Sequence, residues 1–193
     1  ATPANTTFSD PHGTHVAGII AATKDNGFGG YGVFPAAKIL PIDVFNGKQS
    51  ANDFVIAQGI LHAIEQNADV INMSLGGYGE SPLMQEAVQK AIDKGITIVA
   101  AAGNDSTDYY SFPASFEGVI SVGSTNKHNK LSSYSNYGPS VDIVAPGEEI
   151  YSTVYDGKKG SSFTTFSGTS MASPVVAGVA APLKSKKPTL KAH

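Results

Sequence analysis

The chain has 193 residues, a formal net charge of −3, and neither cysteine nor tryptophan; at this length one α/β domain with a substantial core is the natural expectation. A pI near 5.9 leaves no basic patch and argues against nucleic acid as a partner. The lack of cysteine excludes disulfides, thiolate catalysis and cysteine metal sites, and no apolar run reaches membrane-spanning length.

The opening Ala1-Thr2-Pro3-Ala4-Asn5-Thr6-Thr7 reads as the middle of a loop, not as a signal peptide, which suggests a mature or processed piece. Ser9 to Ile20 then reads as a loop feeding a small-residue helix that ends near Ala22. Within it, His12 and His15 stand three apart, a spacing that can place two imidazoles on one helical face as metal ligands. No carboxylate or further histidine stands at zincin spacing, so a general-base role, given a nucleophile elsewhere, is the stronger reading. Lys24 to Gly32 is a glycine-dense loop whose carbonyls, with the Asn26 side chain, can hold a hard cation such as calcium. A plain glycine-rich turn explains it equally well, and the GxxxxGK[ST] phosphate loop is missing.

Lys38 to Phe45 reads as a strand broken or edged at Pro41, and Ala51 to about Gln66 as a helix capped by Ser50 or Asn52. Asp69 to Leu75 reads as a buried strand that stops at Gly76-Gly77, and Ser81 to Lys94 as an amphipathic helix terminated by Gly95. Ile96 to Ala102 is nearly continuous apolar sequence, as in a parallel strand covered on both faces. It runs into Gly103-Asn104-Asp105, and ligands of open α/β sheets gather beyond strand C-termini. Asn104 is therefore a candidate oxyanion donor, with a simple Gly-Asn turn as the alternative. Strands over 119–122 and 141–144 follow, and the alternation predicts a three-layer α/β sandwich with a mostly parallel central sheet. No repeat or low-complexity linker marks an internal boundary, so residues 1–193 read as one domain.

Phe166-Ser167-Gly168-Thr169-Ser170-Met171-Ala172-Ser173-Pro174 reads as a loop running straight into a helix. Gly168 permits a tight, left-handed path, Thr169 is a good N-cap, and Pro174 suits a first turn. A helix starting at Ser170 sets free backbone N–H groups and the positive end of the helix dipole beside that hydroxyl, where an oxyanion would be stabilised. Ser170 is thus a candidate nucleophile; a plain N-cap is the bland alternative.

Together, His12 within HGTHVAG, Asn104 within AAGN and Ser170 within SGTSMASP resemble the subtilisin family of serine endopeptidases, and the likeness extends from about Phe8 to Lys184. The resemblance implies His12 as general base, Ser170 as nucleophile, and Asn104 with the Ser170 backbone N–H as the oxyanion hole, His15 belonging to the helix and not to the chemistry. It also implies a cleft in which extended peptide adds as a strand between Ser74-Leu75-Gly76 and Gln49-Ser50-Ala51. Gly76 and Ala101-Ala102-Gly103 would line the pocket for the residue before the scissile bond. Phe45, Asp53, Ile56 and Leu75 would build a pocket further upstream, where Asp53 departs from the usual apolar lining and suggests a basic residue about four positions before the cut. For the glycine-rich loop the resemblance implies a calcium site formed by the Asn26 side chain and the Lys24, Phe28 and Gly30 carbonyls, and for the protein as a whole an extracellular location.

Two departures stand out. No aspartate matches the family's third triad member, a buried strand end before the histidine; neither Asp10 nor Asp43 has that context, so the aspartate is expected outside this chain, on an accompanying fragment or propeptide. Loss of that partner costs on the order of ten-thousand-fold in rate in the best-studied triads. Towards the C-terminus, Pro182 is expected to break or kink a helix that should run on. Two other classes compete: a subtilisin-like scaffold that binds peptides without turnover, and an esterase or lipase on another α/β fold. The second is disfavoured because Gly168-Thr169-Ser170-Met171-Ala172 lacks the second glycine of GxSxG and because the histidine precedes the serine.

Overall fold

The computed structural model describes residues 10–192, so the expected opening loop lies outside the described residues. Ten elements follow in order: α1 (Pro11–Ala21), α2 (Asp53–Glu65), β1 (Val70–Met73), α3 (Pro82–Asp93), β2 (Thr97–Ala101), β3 (Val119–Thr125), β4 (Ile143–Pro146), β5 (Ile150–Asp156), β6 (Gly160–Phe166) and α4 (Thr169–Lys186).

Strands β1 to β4 form a parallel four-stranded sheet in that order, and β5 and β6 form a separate antiparallel hairpin. Side chains alternate across a strand, so β2 serves two cores. Ile98 and Ala100 pack with Ile56 and Ile60 of α2 and Met84, Val88 and Ala91 of α3. On the opposite face Val99 joins Val122 of β3 and Ala172 and Ala177 of α4. This is the expected α/β sandwich with a mostly parallel sheet.

Local signals set the helix starts. Asn52, not Ser50, caps α2 by accepting the Val55 N–H at 2.9 Å, and Ser81 caps α3 through the Met84 N–H at 3.3 Å. Gly95, at φ +79°, ends the helical course after α3.

Three expectations are corrected. Lys38 to Phe45 is not a strand: among the described residues nothing forms a ladder with it. Ile42 and Val44 instead pack against α2 at Gly59, where a Cβ would lie 2.9 Å from Val44 Cγ1. The β5–β6 hairpin, by contrast, had no counterpart in the sequence reading. Finally, α4 is neither broken at Pro182 nor started at Ser170 with a Thr169 cap. It begins at Thr169 after Gly168, which makes no side-chain cap and at φ +159°, ψ 160° takes a positive-φ path that side chains rarely adopt.

The last turn of α4 is tied both across the fold and to the chain that follows it. The Lys184 ammonium donates to the Gly95 carbonyl, to Pro188 O at 3.2 Å and to Leu190 O at 3.0 Å, and the Lys187 N–H reaches Leu183 O at 2.9 Å.

Candidate active site

The C-terminal ends of β1 and β2 and the N-terminus of α4 converge. Between them lies a cleft of about 250 Å³, lined among others by Leu75, Gly76, Ala101, Gly103, Asn104 and Ser170. Pro174 helps to explain how α4 is fastened there. A proline has no N–H, so the Ser170 carbonyl four residues earlier loses its usual intrahelical donor. The Ser74 hydroxyl takes that place, donating to Ser170 O at 2.7 Å, while Ser170 Oγ donates to Ser74 O at 3.3 Å. One turn on, Ser173 Oγ donates to Asn72 Oδ1 at 2.7 Å. The nucleophile candidate is thereby stitched to the end of β1.

Asn104 is oriented by Thr169, a role the sequence reading missed. Its Oδ1 accepts both the Thr169 N–H at 2.8 Å and the Thr169 hydroxyl at 2.9 Å. The Thr169 hydroxyl in turn accepts the Gly103 N–H at 3.1 Å. With the amide oxygen doubly occupied, the Asn104 NH2 is the end left for the cleft. The first N–H groups of a helix have no intrahelical acceptor. Here Thr169 gives its N–H to Asn104 and Met171 gives its N–H to Gly168 O at 3.0 Å, which leaves that of Ser170 beside the same cleft.

A second residue missed from sequence lies behind this loop. Asn136 is 1 % exposed and holds the Asn104 loop by accepting the Asp105 N–H at 3.0 Å and donating to Ala102 O at 2.9 Å. Its own N–H reaches Gly103 O at 2.9 Å. Gly103 must be glycine here: its φ is +112°, and a Cβ would stand 2.3 Å from Asn136 Nδ2. Nothing in Ser135-Asn136-Tyr137 distinguishes this asparagine from an ordinary loop residue.

His12 sits in the first turn of α1, half-buried, with its backbone N–H on Asp10 Oδ1 at 2.9 Å. Helix α1 reaches the site because Val16 and Ile19 pack on Met171, the residue after Ser170. Burial pushes the His12 imidazole below the ordinary histidine value, and the Asp10 carboxylate pulls it partly back. Among the described residues no hydrogen bond joins His12 to Ser170. His15 is fully buried against Phe166 at 4.6 Å between ring centres, and its Nε2–H donates to Thr164 O at 3.0 Å.

The remaining sequence candidates divide. Leu75 and Gly76 continue past β1 without ladder partners and line the cleft with Ala101 and Gly103, whereas Ala102 is buried behind the wall. Gln49 and Ser50 are exposed, Ala51 packs on the α2–α3 core, Asp53 is exposed at the start of α2, Ile56 is buried and Phe45 is half-buried. Asp43 Oδ1 accepts the Phe45 and Asn46 N–H groups at 2.9 Å, a turn-forming role.

The glycine-rich loop is closed at its ends, the Gly32 N–H reaching Ala22 O and the Val33 N–H reaching Ile19 O, each at 2.9 Å. Asn26 Oδ1 accepts the Phe28 N–H at 3.0 Å and keeps a second lone pair. An all-oxygen donor set of amide and backbone carbonyls fits a hard cation in kind.

Among known proteins, the chain is similar to an intracellular serine protease of Paenibacillus polymyxa, at 49 % identity over 178 residues, covering 90 % of this chain and 53 % of that protein. It is similar to subtilisin DY of Bacillus licheniformis at 43 % identity over 190 residues, covering 96 % and 68 %. Of solved structures, a protease of Pseudoalteromonas arctica superposes with a TM-score of 0.90 at 38 % identity, covering 95 % of this chain and 61 % of that one. A cold-adapted subtilisin-like serine proteinase gives 0.83 at 40 % identity, covering 94 % and 64 %. The chain spans about half the length of the first curated relatives it matches. Proteins named intracellular stand beside subtilisins among these relatives, so kinship does not decide the compartment. A family model described as the subtilase family matches residues 1–193, and with these identities it establishes that the chain belongs to the subtilases.

Proposed function

We propose that this chain carries the nucleophile, general base and oxyanion hole of a serine endopeptidase acting on polypeptides. The observation that carries the reading is the Thr169 anchor, which turns the Asn104 NH2 towards the cleft beside Ser170 at the start of α4. Ser170 Oγ attacks the peptide carbonyl while His12 takes its proton; the carbonyl oxygen becomes negative and is held by the Asn104 amide and the Ser170 N–H. His12 then protonates the leaving amine, and water hydrolyses the acyl-enzyme by the same steps reversed. The carboxylate that orients His12 comes from outside this chain.

Substrate would lie extended along Ser74-Leu75-Gly76, facing Gln49-Ser50-Ala51, with Phe45, Ile56 and Leu75 near an upstream pocket. Asp53, exposed there, would favour a basic side chain about four residues before the cut. Cleavage profiling of a peptide library tests this, and indifference to charge at that position refutes it. Calcium would be held by the Asn26 side chain and the Lys24, Phe28 and Gly30 carbonyls, bracing the loop that follows α1.

One observation favours a second reading, a peptide-binding scaffold without turnover: Ser170 Oγ donates to Ser74 O and not to an imidazole. Denaturing intact mass before and after a fluorophosphonate probe separates the two. Probe mass on the Ser170 peptide, lost in Ser170→Ala, supports the endopeptidase; an unlabelled chain that still binds peptide supports the scaffold.

A further inference from the structure

The cleft carries a feature that general protease chemistry does not require. Tyr78, 47 % exposed, spans its mouth from the loop after β1 to the loop after β2, where its hydroxyl donates to the Asp105 carboxylate. The other side of that hydroxyl accepts the Asn136 Nδ2–H at 3.3 Å, and Asn136 is itself buried and fixed to Ala102 O. The base of the tyrosine is held as well, since Gly77 and Phe112 exchange backbone hydrogen bonds at 3.0 and 2.7 Å. Tyr78 is thus a strap pinned at both ends.

Beneath it the lining is small or apolar. Ser111, a further polar residue of the lining, donates its hydroxyl to Ala102 O at 2.6 Å and is buried. Among the described residues, Asp105 is the one carboxylate of the lining, and none of the lining residues is basic. Burial and the neighbouring carboxylate push the Tyr78 phenol above its ordinary value, so it stays a neutral donor.

We propose that Tyr78 is a specificity-determining residue: by roofing the cleft and engaging its one carboxylate, it makes the cleft select an uncharged aromatic or branched aliphatic side chain over a basic one. A charge-assisted hydrogen bond must be broken before a lysine ammonium can pair with Asp105. This inference rests on the reading of the cleft as a peptide site, and the test separates the two.

The experiment measures binding of dye-labelled tetrapeptide amides ending in Phe or Lys to the Ser170→Ala protein by fluorescence anisotropy. The parent is expected to bind the Phe peptide more tightly. Adding Tyr78→Phe, which keeps the ring and removes the hydroxyl, should shift the Lys-to-Phe affinity ratio by about three- to tenfold in favour of Lys. Adding Asp105→Asn to that variant should abolish the gain, because the freed carboxylate is its source. A parent that already prefers Lys, or a ratio that Tyr78→Phe leaves within about twofold, overturns the strap while leaving the peptide site standing. If neither peptide binds the parent, the peptide-site reading falls and the strap falls with it.

Discussion

Asn104 can present its amide hydrogens to the cleft only while Thr169 holds its oxygen, so the donor and its holder should fail differently. On the proposed reading, Asn104→Ala removes an oxyanion donor outright and should lower kcat by roughly a hundred- to a thousandfold, with KM little changed. Thr169→Val takes the acceptor from the Gly103 N–H at a fully buried position, so it should cost about 1–3 kcal/mol of stability in urea titrations and lower kcat by less than Asn104→Ala. Equal kcat losses with unchanged stability would contradict that division. The histidines set a pH dependence. Burial lowers both His12 and His15, with Asp10 opposing the shift at His12 and the Thr164 carbonyl opposing it at His15. Below about pH 6.5 the unfolded chain therefore takes up protons that the folded chain does not. Stability should be level above that pH and decline as pH falls through the lowered folded values; urea midpoints that stay constant from pH 8 to 5 would sink this. The placing of Asn104 just beyond β2 and of Ser170 in the first turn of α4 was legible because each residue stands in an ordered motif. Thr169 and Asn136 were not, because their roles lie in partners 65 and 31–34 residues away.

At the scale of elements, close packing decides more than propensity. Gly18 lies where α1 crosses β5, and a Cβ there would stand 2.0 Å from Thr153 Oγ1 and 2.5 Å from Ser152 Oγ. Those hydroxyls donate to Thr14 O at 3.0 Å and His15 O at 2.8 Å, so Gly18→Ala should push α1 off the hairpin and cost about 1–3 kcal/mol, read from denaturant midpoints. A stability gain, as Ala brings to an isolated helix, would show that this crossing yields freely. Pro182 is the opposite case, a residue the helix tolerates. Pro182→Ala returns a donor for the Gly178 carbonyl and should raise the melting temperature, the free-energy gain reaching at most about 3 kcal/mol; a lower melting temperature would mean the ring packs usefully. The hairpin escaped the sequence reading because Ile150 to Phe166 mixes Ser, Thr, Tyr and Gly without a continuous apolar run. Lys38 to Phe45 misled for the converse reason: it has strand composition, yet a strand exists only where a neighbour completes the ladder.

Over the whole molecule, the glycine-rich loop closes back on α1, and α1 carries His12, so an ion bound there would brace the helix that holds the proposed general base. Calcium should raise the melting temperature of the chain, and Asn26→Ala should remove the increment; an increment that survives would place the ion elsewhere. The fold itself was largely legible. Helix caps at Asn52 and Ser81, the stop at Gly95 and the apolar run of β2 are local signals, and alternating strands and helices of this length admit few architectures besides a covered parallel sheet. What the sequence determined by itself is thus whatever depends on neighbours in the chain: the starts of α2 and α3, the layer order, and a serine placed in the first turn of α4. The tertiary structure alone decided how the Asn104 amide is turned, how Asn136 props its loop, and that Tyr78 straps the mouth of the cleft to Asp105. Each of these is a hydrogen bond between groups distant in sequence, and no periodicity or cap along the chain encodes which of many possible partners such a group will meet.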